Sequence, residues 1–458
     1  MFCGGNVISR LAGGFLAGIL LFSVSCTRDE NFTYKRQGSG VSYTQSVNPV
    51  PLERSVMLLY SAGYNSLASY LASDIEDLDK GFIPKEFSIF EGKDGNGGHG
   101  GSMGEHVLLV YSRNAGDDGR SFLFRISLDL EGEVVKDTLK VWGTDVNSAS
   151  SSTMREVLNL VHDSFPAKSY GMVFSSHASG WLPPGYYNNP SNFERGASSY
   201  RSSAAGRRTP EVFPPLGNTV PVKSFGQDHY KDLSVEMEMK DFADGIPFRL
   251  DYLLIDACLS GCVEVAWQLR GKADVVGFSQ AEVLATGFDY TTITTHLLQN
   301  TPDPVAVCRD YFDFYDSKTS ESQRSATISV VDTRRMESLA SVCAELFETY
   351  RTQLSEMNWM QVQGYYRYKR HFFFDLRDML VKAGATAEEL DRFDAALEEC
   401  MLYKAATPWF LKGLGTDESF QIKTACGLST YLPSGGTDYL DSYYKANVAW
   451  NDVTQLVK

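Results

Sequence analysis

Short apolar runs alternate along this chain with segments whose apolar residues recur at helical spacing. This alternation is typical of α/β folds, in which helices cover a mostly parallel sheet. The apolar runs predict strands at residues 55–61, 106–112, 170–176, 251–256, 274–279, 326–332 and 424–432. The helical spacing predicts helices at residues 67–78, 153–165, 259–269, 288–299, 336–354, 371–383 and 387–403.

Residues 122–128 and 133–142 follow a different pattern, because apolar and polar positions alternate one by one around a polar turn. A period of two is typical of strands that have one face in solvent. We therefore expect a β-hairpin at one edge of the sheet.

Cys258 follows the predicted strand 251–256 and precedes the next helical pattern. It is expected in the turn between strand and helix, where the thiol would face solvent and feel the positive end of the helix dipole. That position favours the thiolate. The alternative is a small buried residue, the usual state of a free cysteine.

His177 follows the predicted strand 170–176 in the same manner. Because the carboxyl ends of parallel strands meet at one edge of a sheet, His177 and Cys258 are expected to lie near one another there. A thiol beside an imidazole is the arrangement of a nucleophile and its general base.

The segments around both residues resemble the His and Cys blocks of the clostripain family of cysteine peptidases, which belongs to the caspase-like clan. The resemblance is carried by His177-Ala178-Ser179-Gly180-Trp181, by residues 254–259 and 273–277, and by residues 55–67 and 427–433. It implies a caspase-like three-layer α/β sandwich, with a mostly parallel central sheet and additional C-terminal helices.

The chemistry expected of the pair is peptide hydrolysis. Cys258 would attack the scissile carbonyl, while His177 would take the thiol proton and pass one to the leaving amine. The backbone N–H groups of Ala178 and Cys258 are expected to hold the oxyanion. Ala178 stands where family members usually have glycine.

Asp256 precedes Cys258 by two residues, which on a pleated strand places both side chains on one side. Its charge could receive a cationic side chain. The resemblance implies the same role, because the matching aspartate of the family lies in the specificity pocket and selects Arg or Lys before the cut. The alternative is a cap on the following helix. Glu282 and Asp289, which follow the strand 274–279, are expected to border the substrate cleft.

Residues 1–25 have the pattern of an export signal, with Arg10, an apolar segment at 11–24 and small residues before Cys26. Residues 23–26 resemble a bacterial lipobox, which implies a lipid on Cys26, although Ser23 replaces the usual aliphatic residue. The charged residues 27–30 either resemble the tract that exports lipoproteins to the outer surface or form an ordinary solvated run. We expect an exported lipoprotein of the bacterial cell envelope, held in the outer membrane and exposed at the cell surface.

The rest of the chain divides by composition. Residues 26–50 are polar and are expected to form a tether, followed by a peptidase core at 51–332 and a C-terminal helical subregion at 333–458 packed on it. A polar insertion rich in Pro, Gly and Ser interrupts the core at 183–248.

The insertion contains four arginines in an otherwise acidic protein: Arg195, Arg201, Arg207 and Arg208. Members of the clostripain family are often matured by self-cleavage after a basic residue between the His and Cys blocks. The resemblance therefore implies processing in the 195–208 loop, at or near Arg207 or Arg208. The alternative is an ordinary solvated loop.

The formal net charge of −15 argues against nucleic acid as a partner and suits protein or peptide substrates with basic residues. The cysteines and histidines show no metal-ligand spacing. Asp94, Asn96 and Glu105 partly match a calcium loop, in which His99 occupies the position that needs glycine. The chemistry requires no cofactor, and whether the protein binds Ca²⁺ stays an open question.

These patterns predict a cysteine endopeptidase that hydrolyses peptide bonds after Arg or Lys through a His177–Cys258 dyad. The alternative is a catalytically silent lipoprotein of the same fold that binds peptides or glycans at the cell surface. A peptidase that stays a zymogen until the Arg-rich loop is cut is a third expectation.

Overall fold

The computed structural model describes residues 54–85, 106–193, 226–228, 235–367 and 371–458, together with two N-terminal strands. The chain divides into two units, Met1–Pro51 and Leu52–Lys458. In the first unit, β1 (Asn31–Lys35) pairs antiparallel with β2 (Ser42–Ser46), within the segment expected to be a tether.

The second unit is built on a sheet of nine strands. Its strands and the short ones around it are β3 (Ser55–Gly63), β4 (Val107–Asn114), β5 (Ser121–Leu128), β6 (Val134–Trp142), β7 (Ser169–Ser175), β8 (Gln227–Asp228), β9 (Val235–Glu236), β10 (Leu250–Asp256), β11 (Ala273–Phe278), β12 (Thr327–Asp332), β13 (Phe374–Asp375), β14 (Met401–Ala406), β15 (Trp409–Phe410), β16 (Phe420–Gln421) and β17 (Ser429–Thr430).

The order across the sheet is β14-β12-β11-β10-β7-β3-β4-β5-β6. The five inner strands from β11 to β4 are parallel to one another. On each side of them lie two outer strands, and each outer strand pairs antiparallel with its inner neighbour. The hairpin expected at one edge is confirmed, because β5 and β6 pair antiparallel and β6 ends the sheet.

Thirteen helices are present in the described residues. They are α1 (Ala68–Leu78), α2 (Ser151–Ser164), α3 (Pro190–Phe193), α4 (Met239–Asp244), α5 (Val263–Leu269), α6 (Ile293–Leu297), α7 (Pro304–Asp316), α8 (Glu337–Thr349), α9 (Arg351–Glu356), α10 (Leu376–Ala383), α11 (Ala387–Cys400), α12 (Asp438–Asn447) and α13 (Ala449–Thr454).

Helices cover both faces of the sheet. On the face that we call the front, residues of α1, α6 and α7 pack with alternate strand residues such as Leu59 and Leu254. On the back face, residues of α2, α4, α5, α8 and the C-terminal helices pack with the intervening residues, such as Leu58 and Leu253. Each fully buried aliphatic side chain of this kind contributes about 1.5–3 kcal/mol. The predicted three-layer arrangement is therefore present.

Several helices begin where the sequence supplies a cap. Ser150 accepts a hydrogen bond from the Thr153 N–H at the start of α2, and Asp303 does the same for Ala306 at the start of α7. Thr386 and Glu389 form a capping box that begins α11.

The structure differs from the predicted elements at several places. The helix predicted at 371–383 begins only at Leu376, after β13, and the strand predicted at 424–432 is limited to β17. The helix predicted at 387–403 ends at Cys400, and the chain continues as β14, which pairs with β12 at the edge of the main sheet. The helix predicted at 336–354 is two helices, α8 and α9, separated at Tyr350. The predicted helix 288–299 is only α6, because residues 287–291 are non-helical and contact Asp256 through Phe288 and Tyr290.

Among the described residues, no helix combines the length and apolarity that spanning a bilayer requires. The calcium-loop match at 94–105, Cys26 and the loop arginines from 195 to 208 lie outside the described residues.

Candidate active site

The carboxyl ends of β7 and β10 form the candidate site. These strands are neighbours, with Ser175 opposite Asp256, and the Ser176 N–H donates a hydrogen bond of 3.4 Å to the Asp256 carbonyl. His177 and Cys258 each lie two residues beyond this paired position. The structure therefore places both residues at the same edge of the sheet, at the ends of adjacent strands.

Cys258 lies in the turn between β10 and α5, as expected, but its thiol is buried. The residue is 4% exposed, and its Sγ accepts a hydrogen bond from the Val283 N–H at 3.3 Å and lies 3.7 Å from the Val283 carbonyl oxygen. Burial raises the pKa of the Cys258 thiol to about 12, and the charge of Glu282 adds to the increase.

The expectation of an exposed thiolate at a helix N-terminus is therefore wrong for this structure. Helix α5 begins only at Val263, with Cys262 as its N-cap, so Cys258 lies several residues before the first helical turn. The dipole effect falls off within one turn, and burial dominates. The thiol is protonated at neutral pH in this state.

His177 is 1% exposed and is held by a residue of a third strand end. Its Nε2 lies 3.0 Å from the Oγ of Ser66, which follows β3, the other neighbour of β7. Its backbone carbonyl accepts a hydrogen bond of 3.0 Å from the Gly226 N–H. Ser66 was not among the predicted site residues. Its only signal in the sequence is its place just after the first apolar strand, which parallel topology brings to the same edge.

The residues that directly follow Cys258 and His177 differ in backbone conformation. Leu259, directly after Cys258, has a φ of 58°, a left-handed conformation that costs a non-glycine residue roughly 1–2 kcal/mol. Ala178 is not among the residues with positive φ, so its methyl group carries no backbone penalty where the family usually has glycine. Within the described part of the chain, no backbone hydrogen bond uses the N–H of Ala178 or of Cys258.

Asp256 is 6% exposed and its carboxylate is held by the segment after β11. One oxygen accepts hydrogen bonds from the Phe288 N–H at 3.2 Å and from the Tyr290 hydroxyl at 2.8 Å. Burial raises the pKa of Asp256 to about 6, against the opposing effect of these two bonds. Both donors belong to that segment and not to the start of α5, which excludes the capping alternative for these contacts.

Asp256 and Cys258 do not share one pleated face, contrary to the expectation from their spacing. Asp256 contacts the front residues Phe288 and Tyr290, whereas Cys258 packs with the back core. The strand ends at Asp256, and the left-handed Leu259 turns the chain, so alternation does not extend to Cys258.

Gly287 allows the segment after β11 to reach Asp256. Its φ is 62°, and a side chain there would collide with the Asp256 carboxylate. Only glycine satisfies both requirements without strain.

The expected neighbours Glu282 and Asp289 have different positions. Glu282 precedes Val283, the residue that contacts the thiol, and it forms a buried ion pair with Arg367 and accepts a hydrogen bond of 3.2 Å from the Tyr187 hydroxyl. Asp289 accepts hydrogen bonds from Thr291 in its own turn. Of the two, only Glu282 borders the thiol. No group of His, Cys, Asp and Glu in the described residues could hold a metal ion.

Solved structures of C11 proteases share this fold. An inactive zymogen C11 protease from Parabacteroides distasonis aligns with a TM-score of 0.66 and 24% identity, covering 88% of this chain and 98% of that chain. A secreted C11 cysteine protease from Bacteroides thetaiotaomicron, in complex with an irreversible peptide inhibitor, aligns with a TM-score of 0.66 and 21% identity, covering 88% and 99%. No protein with a curated description matched the chain.

The fold and the edge that carries His177 and Cys258 define a caspase-like α/β protein, which confirms the predicted fold class. Residues 218–456, more than half of the chain, match the model of the clostripain family. The chain belongs to the clostripain family of cysteine peptidases.

Proposed function

We propose that this chain is an endopeptidase that hydrolyses peptide bonds after Arg or Lys. The observation that carries the proposal is the register of β7 and β10, which puts His177 and Cys258 at adjacent strand ends with the buried carboxylate of Asp256 at the same edge.

In the proposed reaction, Cys258 Sγ attacks the scissile carbonyl and its proton passes to His177. The protonated imidazole then donates a proton to the leaving amine, and water hydrolyses the acyl-enzyme with His177 as the base. Because Ser66 holds Nε2 of His177, we assign the proton transfers to Nδ1. The N–H groups of Ala178 and Cys258 would stabilise the oxyanion, worth about 3–4 kcal/mol for one good donor.

Asp256 would form an ion pair with the cationic side chain before the cleaved bond. Two neutral donors hold its carboxylate, and burial strengthens its attraction for a guanidinium or ammonium group. The acidic net charge of −15 would favour the approach of basic substrates.

The structure supports a latent form of the enzyme. The thiol of Cys258 is protonated and covered by Val283, and this segment is held through the buried pair of Glu282 and Arg367. A relative of the same fold is described as an inactive zymogen. We propose that cleavage in the 195–208 loop, at or near Arg207 or Arg208, allows the covering segment to leave the thiol.

The proposed location follows from the N-terminal sequence. Residues 1–25 would direct export, and lipid on Cys26 would anchor the chain in the outer membrane of the bacterial envelope. A relative of the same fold is described as secreted.

The test uses purified full-length protein before and after loop cleavage, verified on a gel. Peptides that carry Arg, Lys, Asp or Leu before the scissile bond are compared in wild-type protein, Cys258→Ala and His177→Ala. We expect turnover of the Arg and Lys peptides only after cleavage, with a loss of at least about 1,000-fold in each variant. Cys343→Ala, which removes a buried thiol of α8, is the control.

Turnover that persists in Cys258→Ala would contradict the assigned nucleophile. Tight binding of the Arg peptides without turnover, even after loop cleavage, would support the alternative of a silent binding lipoprotein. Equal cleavage after Leu and Arg would contradict the role of Asp256.

A further inference from the structure

Both backbone groups of Val283 contact the thiol of Cys258. The Val283 N–H donates a hydrogen bond of 3.3 Å to Sγ, and Sγ lies 3.7 Å from the Val283 carbonyl oxygen. The chain is fixed just before this contact, because the Ala281 carbonyl accepts a hydrogen bond of 3.0 Å from the Leu259 N–H. The position of Val283 over the thiol therefore depends on the residue between them, Glu282.

The carboxylate of Glu282 is held at both oxygens. Oε1 accepts a hydrogen bond of 3.2 Å from the Tyr187 hydroxyl, and Oε2 forms an ion pair with Nε of Arg367. The side chains of Glu282 and Arg367 are 7% and 5% exposed, so this ion pair is shielded from water. A buried carboxylate that loses its partners is costly, because nothing replaces its hydration. Glu282 therefore depends on Tyr187 and Arg367 for its buried position.

The two partners of Glu282 come from parts of the chain that meet only in the folded protein. Tyr187 lies at the start of the insertion in which cleavage is proposed, and Arg367 lies between α9 and β13. Phe372, which also lies between α9 and β13, packs on Tyr186 and Tyr187, with ring centroids 5.4 and 6.4 Å away. The start of the insertion and the segment after α9 therefore support one another at this site.

Another buried ion pair of the protein is held differently. Asp228 pairs with Arg113 at 2.6 Å and also accepts hydrogen bonds from the N–H and the hydroxyl of Ser148, at 2.7 and 2.8 Å. One of these donors is a backbone group, which a substitution does not remove. In the described part of the chain, the carboxylate of Glu282 is held by side chains alone. A single change in Tyr187 or Arg367 can therefore weaken its hold.

We propose that Tyr187, Glu282 and Arg367 form a latch that keeps Val283 on the thiol of the uncleaved enzyme. When either partner of Glu282 is lost, the carboxylate moves into water and Val283 moves with it, which exposes Cys258. This inference rests on the proposed latent state and names the residues that maintain it. Cleavage of the insertion weakens the latch through Tyr187, which lies on the same segment as the cut.

The charge of Arg367 separates release of the thiol from a direct electrostatic effect. Burial is the main cause that raises the pKa of the Cys258 thiol; the charge of Glu282 adds to the increase, and the charge of Arg367 opposes it. Loss of the cation alone would therefore leave less thiolate and slow the alkylation of Cys258. Release of Val283 predicts the opposite result, because it brings the thiol into water.

The test measures alkylation of Cys258 by iodoacetamide in uncleaved full-length protein, verified as intact on a gel, by mass spectrometry of the Cys258 peptide. Tyr187→Phe removes one hydroxyl and keeps the ring, and Arg367→Met removes the charge and keeps an extended side chain. We expect the rate to rise about fivefold in Tyr187→Phe and at least about tenfold in Arg367→Met. Arg367→Lys, which keeps the cation, should lie between wild type and Arg367→Met.

Two controls show whether the effect is local. Tyr350→Phe removes a tyrosine–glutamate hydrogen bond of 2.5 Å, to Glu389 of α11, and should leave the Cys258 rate within about twofold of wild type. Cys343, a buried thiol of α8, is followed in the same digests and should stay protected in every variant. After loop cleavage, Tyr187→Phe and wild type should react at the same rate, because the latch is then already open.

Unchanged Cys258 rates in Tyr187→Phe and Arg367→Met would overturn the latch, and so would a slower rate in Arg367→Met, which is the effect of charge alone. A parallel rise at Cys343 would also overturn it, because the lost contacts would then hold the whole core. None of these results depends on turnover. Failure of the proposed function would instead appear as wild-type protein that does not cleave Arg peptides after loop cleavage, whatever the alkylation rates.

Discussion

At the scale of single residues, the candidate site is defined by the groups that hold His177 and Cys258. Ser66 contacts Nε2 of His177, and the N–H of Val283 contacts the thiol of Cys258. Neither partner has reactive chemistry of its own. Both act by fixing the position and protonation of a group that does.

We predict that Ser66→Ala lowers kcat of the cleaved enzyme about tenfold, with KM nearly unchanged, because the imidazole loses the contact that fixes Nε2. Ser73→Ala, on the exposed side of α1, is the matched control. Steady-state kinetics across pH 6–9 checks the prediction. A purely structural role would instead lower the amount of folded enzyme and leave kcat per active site unchanged.

The placement of His177 and Cys258 at one edge of the sheet could be predicted at this scale, because each residue follows an apolar strand. The state of the thiol could not. The pKa of Cys258 depends on Val283 and Glu282, which come from another strand end, and on burial by the whole core. Local sequence contains none of these contacts.

At the scale of elements, the turn after β11 decides what Asp256 does. Residues 287–290 fold over the end of β10, and Gly287 at its positive φ lets them reach the carboxylate. The pattern at 288–299 predicted a helix, because Phe288, Ile293 and Leu297 have helical spacing. Contact with Asp256 prevails over that spacing in the first half of the segment.

We predict that Gly287→Ala destabilises the protein by about 1–3 kcal/mol, because alanine is strained at positive φ and its methyl group would displace Asp256. Gly271→Ala is the control, since Gly271 has an ordinary φ and open space around it. It should cause no loss of stability. Chemical denaturation measures both, and equal stability of the two variants would contradict the prediction.

Strand β14 shows a second limit of local patterns. Residues 387–403 have helical spacing throughout, but from Met401 onward the chain pairs with β12. Hydrogen bonds to the open edge of a sheet outweigh a weak helical preference. The sequence alone could not show that this edge was available.

At the scale of the whole molecule, the contacts that cover the thiol connect residues that are far apart in sequence. The thiol of Cys258 is covered by Val283, and the neighbouring Glu282 is fixed by Arg367, which lies between α9 and β13. Release of the thiol therefore requires movement of segments that are far apart in sequence.

We predict that alkylation of Cys258 in the uncleaved protein rises about tenfold per pH unit from pH 7 to 9.5 without a plateau, because only the thiolate reacts and its pKa is about 12. After loop cleavage, the rate at pH 7 should rise at least tenfold. Mass spectrometry of the Cys258 peptide measures the rate, and Arg207→Ala with Arg208→Ala is the uncleaved control. A plateau below pH 9 before cleavage would contradict the latent state.

The sequence by itself determined the α/β class and the positions of the inner strands along the chain, and it indicated His177 and Cys258 as the candidate pair. It did so because strand and helix periodicity are local properties, and because the carboxyl ends of parallel strands meet at one edge of a sheet. The tertiary structure alone decided the burial of the thiol, the contact of His177 with Ser66 and the donors that hold Asp256. Those properties are set by desolvation and by contacts between separate elements, and no local pattern encodes them.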